Sequence, residues 1–204
     1  MITLPRLYAI LDRRLFPDDD AFLAAAKEFA AAGVALLQYR NKSGNARQML
    51  QQARTLKAAL GDSVTFIMND RADLCVAADY AGVHLGQDDI SPNGARTVIG
   101  PTLWLGVSTH NAQQLSEADQ TSADYIAIGP VFATSSKANP DPVIGLQGVQ
   151  QARAHTHKPL VAIGGITRAN CRSVIDAGAD SVAVISDLVT APRESAEEFL
   201  RILR

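Results

Sequence analysis

The chain has 204 residues, with 19 Lys and Arg against 21 Asp and Glu, for a formal charge of -2. That balance excludes a nucleic-acid binder working through a broadly basic surface, and 20% charged with 47% hydrophobic residues excludes disorder. One domain spanning 1–204 can bury a full core, and the length meets the minimum of roughly 200 residues for a (β/α)8 barrel.

Met1 to Phe16 holds a short apolar run cut by Pro5, Arg6 and Asp12, unlike a signal peptide. Short apolar or β-branched runs then recur, bounded by Gly, Pro, Asp or Asn. They are Leu7–Leu11, Val34–Tyr39, Val64–Met68, Gly82–Leu85, Leu103–Val107, Tyr125–Ile128, Leu160–Ile163 and Ser181–Ile185. Such runs read as buried parallel strands. Stretches with helical periodicity lie between them, among them Asp20–Ala32, Ala46–Leu60 and Leu146–His157. Eight strands in 204 residues leave about 25 per strand–helix unit, so the α/β chain is expected to close as a single TIM barrel.

A repeat echoes this alternation. Ala32 to Gln38 matches Ala81 to Gln87 at five of seven positions, and Ala177-Gly178 and Ser122-Ala123 open similar segments before strands 8 and 6. The glycines suit left-handed helix caps; equally, α/β proteins reuse Ala-Gly before strands. The longest connection, Gly129–Gly145, holds three prolines and reads as a functional loop. Cys75 and Cys171 show no metal-like spacing, so a reducing cytoplasm is expected. Thr97–Ser116 lacks Asp, Glu, Lys and Arg, but its His, Asn, Gln and Pro residues exclude a membrane span.

In such barrels the chemistry gathers at the carboxyl ends of strands. After strand 2, alternation places Gln38, Arg40 and Lys42 on one side. Two cations and an amide there suit an anionic, phosphorylated ligand, against the plainer reading of a surface charge pair. Asn69-Asp70 follows strand 3 and His84-x-Gly86-Gln87-Asp88-Asp89 follows strand 4. Asp70 and Asp89, on neighbouring strands, can approach and hold magnesium against a phosphate. Alternatively Asp70 caps the next helix, and Asp88 or Asp89 caps one starting at Ile90. His84 fits a packed, hydrogen-bonded role better than a metal ligand.

After strand 5, Ser108 can donate to a ligand, or Thr109 can cap the helix from Asn111. After strand 6, Thr134, Ser135, Ser136 and Lys137 can wrap a diphosphate, without the P-loop ending. Gly164-Gly165 and Ser186 follow strands 7 and 8, the common barrel phosphate site. A helix start near Ser186 would add partial positive charge. A gly-gly pair by itself is often just a turn. Two anion sites imply two phosphorylated small molecules.

Taken in order, these motifs resemble the thiamine phosphate synthase family. The resemblance runs from Leu7-Tyr8 to Ser186. It rests on Gln38-x-Arg40-x-Lys42, Asn69-Asp70, His84-x-Gly86-Gln87-x-Asp89, Gly129-Pro130-Val131-Phe132 with Thr134-x-Ser136-Lys137, Ala162-Ile163-Gly164-Gly165-Ile166 and Val184-x-Ser186. It implies a transferase joining hydroxymethylpyrimidine diphosphate to hydroxyethylthiazole phosphate. Mg²⁺ would assist diphosphate departure, leaving a pyrimidine-methylene cation for the thiazole nitrogen to attack.

By the same resemblance, Asp70 and Asp89 match metal ligands. Gln38, Arg40, Lys42, Asn69, Ser108 and Lys137 match pyrimidine-diphosphate contacts, with Arg40, Lys42, Ser108 and Lys137 expected to carry the catalysis. Thr134 and Ser136 match phosphate-holding hydroxyls. Gly165 and Ser186 match the thiazole-phosphate cradle, and Tyr8, His84 and Ile185 join the binding set. The partners are small molecules, with neither nucleic acid nor membrane, and a homo-oligomer is left open. Tyr39 and Asn41 depart from the family's frequent aliphatic residue and Glu, and Ser136 from its frequent Thr. Tyr39 should face away from Gln38 and Arg40 and alter packing only. A thiazole tautomerase on the same barrel, or a non-catalytic precursor-binding barrel, is the alternative.

Overall fold

The computed structural model describes residues 2–134 and 141–204. Eight strands form one closed barrel in sequence order. They are β1 (Leu7–Asp12), β2 (Leu36–Arg40), β3 (Thr65–Asn69), β4 (Gly82–Leu85), β5 (Trp104–Thr109), β6 (Tyr125–Ile128), β7 (Leu160–Ile163) and β8 (Ser181–Val184), every neighbouring pair parallel. A helix follows each: α1 (Asp19–Ala32), α2 (Ala46–Leu60), α3 (Ala72–Ala77), α4 (Pro92–Ile99), α5 (Ala112–Asp119), α6 (Gly145–His155), α7 (Cys171–Asp176) and α8 (Pro192–Ile202). This is the expected (β/α)8 barrel.

The strands are apolar on both faces because both faces are covered. In β1, Tyr8 and Ile10 point inward to meet Leu36, Ile67, Tyr125, Ala127, Val161 and Ala183. Leu7, Ala9 and Leu11 point outward against Phe22 and Phe29 of α1 and Phe199 of α8. Each buried phenylalanine contributes about 2–3 kcal/mol. The inner face turns polar toward the carboxyl ends, where Asp12, Gln38, Asn69 and His84 are buried.

Several sequence expectations shift here. β2 starts at Leu36, because Val34 still donates to Phe29 O (3.0 Å) in the turn closing α1. In that turn Gly33 has φ 96°, as a left-handed cap requires. Gly82 plays no such part. It lies within β4, level with Ile67, which is itself level with Gln38. The two halves of the sequence repeat therefore occupy different heights in the barrel and are no structural echo. Near the end of α3 the left-handed residue is Asp79 (φ 54°).

The alternative capping roles are also corrected. Ser91 caps α4, accepting from Gly94 N (3.2 Å), and Asn111 caps α5, accepting from Gln114 N (2.9 Å). Asp88, Asp89 and Thr109 are not caps, and α3 has no side-chain cap, so neither is Asp70. The helix expected at Ser186 is a three-residue 3-10 turn, Ser186–Leu188, too short to carry an appreciable dipole.

The connection after β6 is tied down at both ends. Val131 N donates to Ile163 O (2.9 Å), Phe132 N to Gly164 O (3.0 Å) and Ile144 N to Pro130 O (3.0 Å). The centre of that loop, with Ser136 and Lys137, lies outside the described residues. Among the described residues no helix is long and apolar enough to cross a membrane.

Candidate active site

The register of β1 against β2 places Asp12 level with Arg40. Their side chains form an ion pair at the barrel mouth. Arg14 closes on the same carboxylate through Nη2 (3.0 Å) and Nε (3.2 Å). Burial pushes the Asp12 carboxyl up, but the Arg14 hydrogen bonds and the Arg40 charge outweigh it and hold it below the usual range. Two residues on, Lys42 Nζ lies 3.2 Å from Asp70 Oδ2.

Asp70 adopts φ 63°, a left-handed conformation that Asp tolerates better than most residues. Its N–H donates to His84 O (2.8 Å), so the backbone turns across to β4. The Asp70 carboxyl then meets that of Asp89. Burial and this second carboxylate raise it above its ordinary range, with Lys42 opposing. Asp89 itself is steadied by Gly86 N (2.6 Å). Among the described residues, Arg14, Arg40 and Lys42 thus face Asp12, Asp70 and Asp89 at the mouth.

Two carboxylates in contact, with one raised by its neighbour, form an oxygen donor set that a divalent cation would relieve. No cluster of three or more metal-ligating side chains occurs among the described residues. The pair fits magnesium, which keeps several waters and is bound through one or two carboxylates plus substrate phosphates.

Gln38 sits one level deeper than Arg40 and does not reach the mouth alongside it. It is buried and donates from Nε2 to Tyr8 Oη (2.9 Å). Tyr8 Oη is 3.1 Å from Tyr125 Oη, and Tyr125 Oη is 3.1 Å from His84 Nδ1. His84 Nε2 reaches Ser108 Oγ at 2.8 Å. A polar chain therefore crosses the barrel floor from β2 to β5. His84 is packed and hydrogen-bonded, as expected, and burial lowers its imidazole to about 4. Asn69 is buried beside it at the end of β3. Thr109 turns away and donates to Ala127 O (2.9 Å).

On the opposite side, Gly164 (φ 100°) and Gly165 (φ 63°) pack directly under the loop after β6. A Cβ at Gly165 would stand 2.4 Å from Ala133 O. Arg168 N donates to Asp187 Oδ2 (2.9 Å), tying this loop to the turn at Ser186. Ile185 packs on the interior cluster just before that turn. Thr134 lies at the near end of the loop after β6. The described residues thus bring together one group of polar side chains over β1–β5 and a second group of loop residues over β7–β8.

Comparison with known proteins supplies the deciding observation. The profile of the thiamine monophosphate synthase family matches residues 7–188. The chain belongs to that family. The synthase is 60% identical over 205 aligned positions to the thiamine-phosphate synthase of Koribacter versatilis, covering 99% of this chain and 97% of the relative. It is 40% identical to that of Shouchella clausii, over 91% of this chain and 89% of the relative. A solved thiamine phosphate pyrophosphorylase from Pyrococcus furiosus superposes with a TM-score of 0.87 at 34% identity, covering 97% and 95% of the two chains. The synthase is accordingly a transferase of thiamine biosynthesis.

The sequence reading assigns no site role to Asp12 or Tyr125. Asp12 reads from sequence only as one of the residues that cut the first apolar run, although an acid and Arg40 ending adjacent strands is the available signal. Tyr125 looked like ordinary strand filling. Tyr39 does face outward, as expected, but it does more than pack. Its hydroxyl donates to Gln52 Oε1 (2.7 Å), which also receives Asn41 Nδ2 (3.0 Å). Asn41 Oδ1 in turn accepts from Ser43 N (3.0 Å) and Gly44 N (2.9 Å), fixing the turn that presents Lys42.

Proposed function

We propose that the synthase condenses hydroxymethylpyrimidine diphosphate with hydroxyethylthiazole phosphate, with Asp70 and Asp89 holding Mg²⁺. The observation that carries this reading is the meeting of the Asp70 and Asp89 carboxyls opposite Lys42. When bound, magnesium would neutralise charge on the departing diphosphate. Arg40, oriented by Asp12, and Lys42 add positive charge where the leaving group gathers negative charge; each such group is worth about 10²–10³ in rate. Lys137, by family resemblance, adds a third. Gln38, Asn69, His84 and Tyr8 form the floor on which the pyrimidine rests, and Ser108 hydrogen-bonds the diphosphate half.

Gly165, Ile185 and Ser186 cradle the thiazole phosphate, and Thr134 and, by family resemblance, Ser136 contribute hydroxyls. The tied ends of the loop after β6 keep water from the pyrimidine-methylene cation. Ionisation driven by the leaving group asks for no strong general base, consistent with a neutral, buried His84. Two buried free cysteines suit the reducing cytoplasm we assign to the protein. The test is incubation of both phosphorylated precursors with Mg²⁺. Thiamine phosphate and diphosphate are expected in equal amounts. Thiazole tautomerisation without condensation would replace this reading.

A further inference from the structure

We propose that Tyr125 is a positioning residue. It sets the direction of the hydrogen-bond chain across the barrel floor, so that His84 carries its proton on Nε2 and Ser108 keeps its own proton for the substrate. The consequence for substrate rests on the synthase reading; the direction of the chain does not.

The geometry begins at Gly106. His84, Gly106 and Tyr125 stand level on β4, β5 and β6. A Cβ on Gly106 would lie 2.1 Å from Tyr125 Cζ, 2.4 Å from its oxygen and 2.5 Å from His84 Nδ1. The missing side chain lets rings from β4 and β6 meet across the intervening strand. Their centroids are 5.5 Å apart and their planes 27° apart.

Direction then follows from donor counting. The Gln38 amide nitrogen can only donate, and it donates to Tyr8 Oη. Tyr8 has one proton and, among the described residues, one remaining partner, Tyr125 Oη. Tyr125 therefore accepts from Tyr8 and spends its own proton on His84 Nδ1. A neutral imidazole that accepts at Nδ1 bears hydrogen at Nε2, and that hydrogen points at Ser108 Oγ. The Ser108 proton is left for an acceptor on the ligand, a phosphate oxygen or a ring nitrogen. With the Gln38 amide donating, reversing the Tyr8–Tyr125 or the Tyr125–His84 link would strand a tyrosine proton among buried groups, which is costly.

Histidine ¹⁵N NMR of the resting enzyme, without substrate, tests this directly. His84 should show a protonated Nε2 and a bare Nδ1. A protonated Nδ1, meaning a Gln38 amide turned the other way, would overturn the proposal. In Tyr125→Phe, which keeps the ring stack, the imidazole should become a mixture of tautomers. Its kcat/KM for the pyrimidine diphosphate should fall about tenfold, the scale of one neutral hydrogen bond, with KM for the thiazole phosphate unchanged. An unaltered tautomer in that variant would also overturn it. The wild-type spectrum decides even if the variant does not fold. Because it is read without turnover, it stands or falls separately from the condensation assay.

Discussion

Replacing Asp12 by Asn removes one charge from the mouth while keeping the side chain's shape. In the native protein this carboxylate is 1% exposed and holds Arg40 (16% exposed) and Arg14 (48% exposed). Breaking a fully buried ion pair costs about 3–5 kcal/mol. Here Arg14 can swing into water and the Asn keeps one acceptor oxygen, so about 2–3 kcal/mol is expected. At 2–4 °C per kcal/mol for a chain of this size, Tm at pH 7 should drop by roughly 4–12 °C. Because the Asp12 carboxyl is held below its usual value, its stabilisation is complete above the unfolded value of about 3.9. It is lost only as pH falls through the lower folded value. Thermal unfolding of both proteins should therefore show a constant gap from pH 7 to pH 5 that narrows only in stronger acid. Equal Tm values at pH 7, or a gap already closing between pH 7 and 5, would refute this account of Asp12. KM for the pyrimidine diphosphate should rise in the variant as Arg40 loses its orientation.

Three further outcomes follow from the same geometry. Asp89→Ala should lower turnover by about 10²–10³, and unchanged activity at limiting Mg²⁺ would contradict the metal assignment. With His84 lowered to about 4, the unfolded chain takes up its proton first as pH falls below about 6.5. Stability should then decline between pH 6.5 and 4 by about 3 kcal/mol from this group. Chemical denaturation of wild type against His84→Gln should show the variant losing that part of the slope. Gly165→Ala puts a methyl 2.4 Å from Ala133 O at φ 63°. It should raise KM for the thiazole phosphate far more than for the pyrimidine diphosphate, as initial rates against each substrate will show.

The strands were readable because a barrel strand covered on both faces is a nearly unbroken apolar run. Tyr125–Ile128 and Leu160–Ile163 needed no adjustment. Residues ending strands were readable as chemistry because polar groups after an apolar run have few other reasons to be there. Pairing across strands was not readable. Asp12 acquires its role from standing level with Arg40, and Gly106 from the rings on either side of it. Both depend on register, which a single sequence does not state. The repeat misled for the same reason, since similar letters at Gly33 and Gly82 fall at different heights. Capping stays open in the sequence because Asp70 and Asp89 are favoured cap types, and the turn at φ 63° that carries Asp70 out of its helix start is settled only by the fold.

The most direct test is a crystal structure with Mg²⁺, a non-reacting pyrimidine diphosphate analogue and the thiazole phosphate. The metal should lie on the Asp70 and Asp89 carboxylates and touch the diphosphate, with Arg40 and Lys42 closing on it and the single phosphate resting over Gly165 and Ser186. A diphosphate seated over Gly165, or a metal bound away from Asp70 and Asp89, would contradict the account.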